Sequence, residues 1–181
     1  MLAAQGLVHI APRSGIYVRK ATAGELIATL EALSELEAVL ARLAARRATP
    51  EQHSELQTAL DRCGECAEGN DRKGYEAANA VLHEAIYRSS GNAVLVEHTR
   101  SVRRTLAAYR QRGFDKPGRL ASSQAEHVAI VLAICNGDDV AAAEAMRLHI
   151  NVGADAMVSL VMASEGTARE NRPMRARPLT R

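Results

Sequence analysis

Three observations predict an all-α fold. Apolar residues recur at a helical period from residue 22 onward, and most of the periodic runs open on a capping signal. Aromatics make up only 3% of the chain, so the core must be aliphatic, and the abundance of Ala and Leu favours helices over sheets. The expected architecture is an antiparallel bundle of six to seven helices, preceded by a short β-hairpin. A chain of 181 residues that is 47% apolar is long enough for one buried domain core. The expected division is residues 1–20 for the hairpin region, 21–165 for the helical domain and 166–181 for a disordered basic tail.

The hairpin comes first. Leu7 to Ile10 and Ile16 to Val18 are short strand-like runs, and Pro12, Arg13, Ser14 and Gly15 between them supply turn chemistry. Thr22-Ala-Gly-Glu25 has the spacing of a capping box, and a periodic run from Leu26 to about Ala45 follows it. Thr49-Pro50-Glu51-Gln52 repeats that signal with Pro at the first helical position. A third helix is expected from Asp71 to Ser89, stopping near Gly91, and a fourth from Ala93 to about Arg112, before Gly113, Pro117 and Gly118. Ser122 or Ser123 can cap a fifth helix that ends at Asn136-Gly137, and Asp138 a sixth that runs to about Ala163. Connections this short predict antiparallel neighbours. Residues 128–135 are apolar all round, which makes the fifth helix the expected central, buried one.

Composition excludes several classes. The formal net charge of +2 is too small for a nucleic-acid-binding surface spread over the whole chain. No apolar run is long enough to span a membrane, and the N-terminus lacks a signal-peptide layout, so a cytoplasmic location without membrane association is expected. Three cysteines, an odd number, argue against a disulfide framework. Cys63-Gly-Glu-Cys66 has CxxC spacing, but no second ligand pair follows it and it falls late in a helix. It reads as structural. The arginines of the tail, and most of those around the fourth helix, read as solvated.

The candidate site is a set of polar residues on helical faces that should be apolar. Asn79 and His83 lie one turn apart beside the stripe Tyr75, Ala78, Leu82, Ala85 and Ile86. His127 falls in line with Val131 and Ile134, and His149 shares a face with Ala142, Met146 and Gly153. Three helices therefore each aim an imidazole at one interior. Each ring taken singly fits a core histidine bonded to a backbone carbonyl, since a buried imidazole must satisfy both nitrogens. Together they fit a divalent metal of the zinc, nickel or manganese class, with Asn79 adding an oxygen ligand. His9, His53 and His98 fall on hairpin or exposed positions and are expected to be solvated.

The motif order carries a resemblance. Asn79-x-x-Leu82-His83, Gly91-Asn92, Arg103, Glu126-His127 with Ala133-Ile134, Gly137-Asp138, Ala143 to Met146 and His149 together resemble the FCD ligand-binding domain of the FadR-type branch of GntR-family regulators. The likeness covers about residues 22 to 160. It implies that Asn79, His83, His127 and His149 form a metal-binding quartet, and that Arg103 can meet an effector carboxylate. Asn79 stands where Asp is commoner, so the site lacks an anionic protein ligand, and a neutral site gains less from a dication. Leu33 fills a position, shortly before Leu36-Glu37, where the family often has Arg. At the N-terminus, Leu2 to Val8 and Arg13 to Val18 are similar to the end of a recognition helix and the wing of a winged helix-turn-helix. Arg13 at the wing tip suits contact with DNA. The helix that should read the major groove is not among these residues, so weak or no specific DNA binding is expected.

The function implied is effector sensing in a transcription regulator that acts as a homodimer, not an enzyme. A small carboxylate effector would bind beside the metal and shift DNA binding. Two alternatives stay open: a metal-dependent hydrolase, and a helical bundle that only dimerises. Hydrolysis needs a carboxylate poised as general base. Glu84 and Glu126 adjoin the histidines in sequence, but neighbouring helical residues point about 100° apart, so neither is expected in the site.

Overall fold

The computed structural model describes residues 8–11, 15–18, 22–107 and 114–170. Val8–Ala11 (β1) and Gly15–Val18 (β2) pair antiparallel, with Val8 opposite Val18 and Ala11 opposite Gly15. The expected hairpin is therefore present. Arg13 and its turn lie outside the described residues, as does the end of the expected tail, residues 171–181.

Six helices follow among the described residues: α1 (Ala23–Arg47), α2 (Pro50–Glu68), α3 (Arg72–Ser89), α4 (Ala93–Thr105), α5 (Arg119–Cys135) and α6 (Asp139–Glu170). The all-α expectation holds. Both expected capping boxes form, Thr22 with Glu25 and Thr49 with Gln52, so each side chain satisfies an otherwise orphaned backbone donor. Asp71, Asn92 and Asp138 each accept a backbone N–H at the start of their helices. None of these helices is long and apolar enough to cross a membrane.

Three local expectations are corrected. α5 begins at Arg119, three residues before Ser122, because Gly118 at φ 76° turns the chain directly into the first turn without a side-chain cap. Ser123 is instead buried inside the helix. α4 ends at Thr105, short of the expected Arg112, and Leu106 turns into the core beyond it. α6 runs on to Glu170, past the expected stop at Ala163 and into the stretch read as tail. The α5 end follows the expected pattern. Gly137 sits at φ 71°, its N–H reaches Ile134 and the next N–H reaches Ala133, a Schellman closure.

The centre of the bundle is α1, not α5. α1 packs against α3, α4, α5 and α6. Its buried positions Leu26, Leu30, Leu33, Glu37, Leu40 and Ala44 repeat at alternating steps of four and three. α5 buries Leu120, His127, Ile130, Val131 and Ile134, but Val128 and Leu132 are 45% and 59% exposed beside exposed Ala121, Ala125 and Ala129. Its all-round apolarity thus covers one buried and one open face. Ion pairs Arg46–Asp139 and Arg147–Glu35 fix α6 antiparallel to α1. α3 and α4 depart from the expected close pairing: α4 rests mainly on α1. That splay leaves room between α3 and α4.

Candidate metal centre and effector cavity

α3, α5 and α6 bring His83, His127 and His149 together. Their ring centroids are 5.5, 5.3 and 4.5 Å apart, and one nitrogen from each ring lies within 4.8 Å of one from each of the others. All three are buried. Each Nδ1 is held from behind. His83 Nδ1 is 2.7 Å from Glu37 Oε2, His149 Nδ1 is 2.6 Å from Glu126 Oε2, and His127 Nδ1 is 3.2 Å from the Tyr75 hydroxyl. The Nε2 atoms of His83 and His127 are buried with no hydrogen-bond partner.

That pattern bears on the readings left open by the sequence. A core histidine satisfies both nitrogens, whereas these rings are oriented through Nδ1, and the Nε2 atoms of His83 and His127 stay unpartnered. Carboxylate or hydroxyl support of a ring whose other nitrogen faces a shared centre is what metal-ligating histidine requires. Burial lowers the pKa of His83 to about 3, with the nearby Arg103 charge adding to it, and burial also takes His127 well below its ordinary value. Both rings are therefore neutral, the form a metal needs. The donor set fits a divalent ion. Asn79 is buried and lines the same cavity of about 60 Å³ as His83 and His149, together with Leu33 and Arg119.

Two arginines, Arg119 buried and Arg103 largely so, are built into the walls. Arg103 Nη1 donates to Glu37 Oε1 at 2.5 Å and to the Tyr87 hydroxyl at 2.7 Å, while its Nη2 is buried without a partner. Arg119 meets Glu126 as a fork, at 2.8 and 3.0 Å. Burial alone would raise the Glu37 pKa, but the Arg103 charge and the hydrogen bonds from His83 and Tyr87 outweigh it and hold the carboxyl well below the usual range. Each of the two carboxylates thus bridges an arginine and a histidine.

Sequence reading placed Asn79, His83, His127, His149 and Arg103 near one interior, and the structure brings them together. It overlooked Glu37 and Arg119, and it set Glu126 aside. The 100° argument failed for Glu126 because its carboxylate reaches sideways to His149, one helix over, and not to a partner on its own helix. Glu37 could have been found, since it occupies a core slot of the α1 stripe between Leu33 and Leu40. Arg119 carried no comparable signal. Glu84 pairs with Arg100 away from the histidines. His98 is exposed as expected, but His53 is half-buried and its Nε2 is shielded. Cys63 and Cys66 are buried, burial raises the Cys63 pKa to about 11, and Cys66 packs against Gly74. They are core residues.

The cavity has an outer neighbour. A cleft of about 490 Å³ between α3 and α4 is lined by Glu76, Glu84, Arg100 and Arg104, and it shares Asn79, Arg103 and Phe114 with the inner cavity.

Residues 28–152 match the FCD domain as a sequence family. The chain belongs to the FCD family. The FCD chain is 28% identical over 150 residues to a Paenarthrobacter nicotinovorans protein named "Probable D-xylose utilization operon transcriptional repressor", covering 82% of this chain and 65% of that one. It therefore spans just under two thirds of that relative's length. Among solved structures, E. coli McbR/YncC aligns with a TM-score of 0.79 at 18% identity, over 88% of this chain and 80% of that chain. The metal-free FCD domain of TM0439 aligns with a TM-score of 0.65 at 18% identity, over 80% and 99%. These two likenesses establish the shared fold.

Proposed function

We propose that this FCD domain senses a small carboxylate effector through a divalent ion held by Asn79, His83, His127 and His149, and that it acts as a homodimer to modulate DNA binding by a cytoplasmic transcription regulator. The observation that carries this reading is the set of three imidazoles, each tied at Nδ1, with a ring nitrogen of each within 4.8 Å of one from each of the others. When bound, the ion supplies a Lewis-acidic anchor for carboxylate oxygens. Arg103 Nη2 supplies a donor in the same wall. The α3–α4 cleft supplies a route from solvent.

The family and the curated relative favour regulation over catalysis. The geometry agrees, because both oxygens of Glu126 are engaged by Arg119 and His149, so Glu126 is not free to act as a general base. The uncharged outer face of α5 supports the dimer reading, since an apolar face of this kind is normally covered. Contact between the wing and DNA through Arg13 follows from the family resemblance.

Chelator-stripped protein tested with zinc, nickel and manganese examines the reading directly. At a free metal concentration of about 100 times Kd, binding adds about 2.7 kcal/mol of stability. His127→Ala abolishes the thermal shift. Absence of any shift in the unaltered protein, both with and without an added small carboxylic acid, and no metal found by elemental analysis, refutes the proposal. Light scattering checks the dimer.

A further inference from the structure

The charges around the histidine cluster cancel in pairs. Among the described residues, the ionised side chains lining the inner cavity are Arg103 and Arg119. Each is matched by its own glutamate, Glu37 or Glu126, within hydrogen-bond distance. The imidazoles are neutral when they ligate, and Asn79 offers only an amide oxygen. With the imidazoles in that ligating form, the wall sums to zero apart from the ion. A divalent ion placed among these residues brings two positive charges into a buried setting with nothing to balance them, and an unpaired buried charge is costly. Neither glutamate can be released to serve the ion without leaving its own arginine unpaired and its histidine without support. The balancing negative charge has to come from an exogenous ligand, either hydroxide from bound water or an anion that enters with the ion.

We propose that metal binding at this site is conditional on a small chelating dianion of the dicarboxylate class, and that Asn79 is the residue that imposes the condition. This rests on the metal-centre reading above and adds to it the ligand's charge and the order of dependence. A single ligand carrying two acidic oxygens neutralises the ion in one step. Arg103 Nη2, buried and unpartnered, is placed to donate to it. The cavity of about 60 Å³ holds roughly four to six waters at about 10–15 Å³ each, so the part of the ligand seated beside the ion is short. The metal is then a co-effector that arrives with its ligand. By linkage, each raises the affinity of the other by the same factor.

Equilibrium dialysis of the stripped full chain against zinc tests this, with bound zinc counted by atomic absorption at matched free zinc. Three conditions are compared: no added acid, millimolar malonate and millimolar acetate. Malonate is expected to tighten zinc binding on the order of 5- to 150-fold, and acetate to do far less. Asn79→Asp, which supplies a permanent negative charge, is expected to bind zinc without added acid and to show a smaller malonate effect. Tight binding by the unaltered chain without acid, unchanged by malonate, overturns the inference while leaving the metal centre standing. Equal tightening by acetate and malonate overturns the dianion requirement. Zinc bound under no condition, by the chain or by Asn79→Asp, refutes the metal centre itself. Should Asn79→Asp fail to fold, the malonate and acetate arms on the unaltered chain still decide.

Discussion

Replacing Glu37 with Gln isolates the part of the site that the fold must maintain at its own expense. Glu37 is fully buried in α1, with Arg103 at 2.5 Å and His83 at 2.7 Å. Gln keeps the size but removes the charge. Removing one partner of a buried ion pair costs about 3–5 kcal/mol, because the remaining charge stays buried. Arg103 keeps the Tyr87 hydroxyl and is 14% exposed into the cavity, so the lower end, about 3 kcal/mol, applies. For a chain of this size about 2–4 °C of Tm accompanies each kcal/mol, which gives a fall of roughly 6–12 °C by calorimetry. Arg103→Met alone should cost a similar amount, since it strands Glu37. The double variant should lose less than the sum of the two, with a coupling of about 1–3 kcal/mol. A Glu37→Gln protein melting within about 1 °C of the unaltered chain, or single losses that simply add, would refute the reasoning. Zinc affinity should also fall about 10- to 100-fold, because Glu37 orients His83.

Acid should destabilise the stripped protein in a defined window. Folded His83 has its pKa lowered to about 3, and that of folded His127 is also depressed, both chiefly by burial. The unfolded chain therefore takes up protons that the folded chain refuses, and stability is lost as the pH falls from about 6.5. Each ring contributes a slope of up to about 1.4 kcal/mol per pH unit. Urea midpoints at pH 7 and pH 5 measure it, and His127→Gln should flatten the difference. Glu37, whose folded pKa is also depressed, adds a further loss only below about pH 4.3. Gly137→Ala should cost about 1–2 kcal/mol, because the backbone there is left-handed while the space is adequate. Gly24→Ala, in α1 with nothing near its added methyl, should instead gain about 0.4–1 kcal/mol. Equal effects at the two positions in thermal melts would show that backbone conformation is not what separates them.

Local chemistry was legible wherever a side chain answers to its own few neighbours in the chain. The capping residues Thr22, Thr49 and Asp138 could be read because an N-cap bond spans only two or three residues. The same holds for the Gly137 stop. The start of α5 was misread because Ser122 and Ser123 imitate caps, while Gly118 does the work through φ alone.

The histidines could be assigned to inward faces because a helix has a fixed period, and a polar residue on an apolar stripe stands out against it. By itself, then, the sequence determined the helical class, most helix boundaries and the convergence of Asn79, His83, His127 and His149. It could not rank the helices by burial, because a helix that is apolar all round reads the same whether one face or both are covered. The tertiary structure put α1 at the centre and left Val128 and Leu132 of α5 open. Nor could it show how the site is charged. The pairs Glu37–Arg103 and Glu126–Arg119 join residues up to 66 positions apart or across the first turns of one helix, through side chains whose reach no periodicity encodes. Charge balance depends on distance in space. Only the folded chain shows that both arginines beside the histidine cluster are already matched by glutamates.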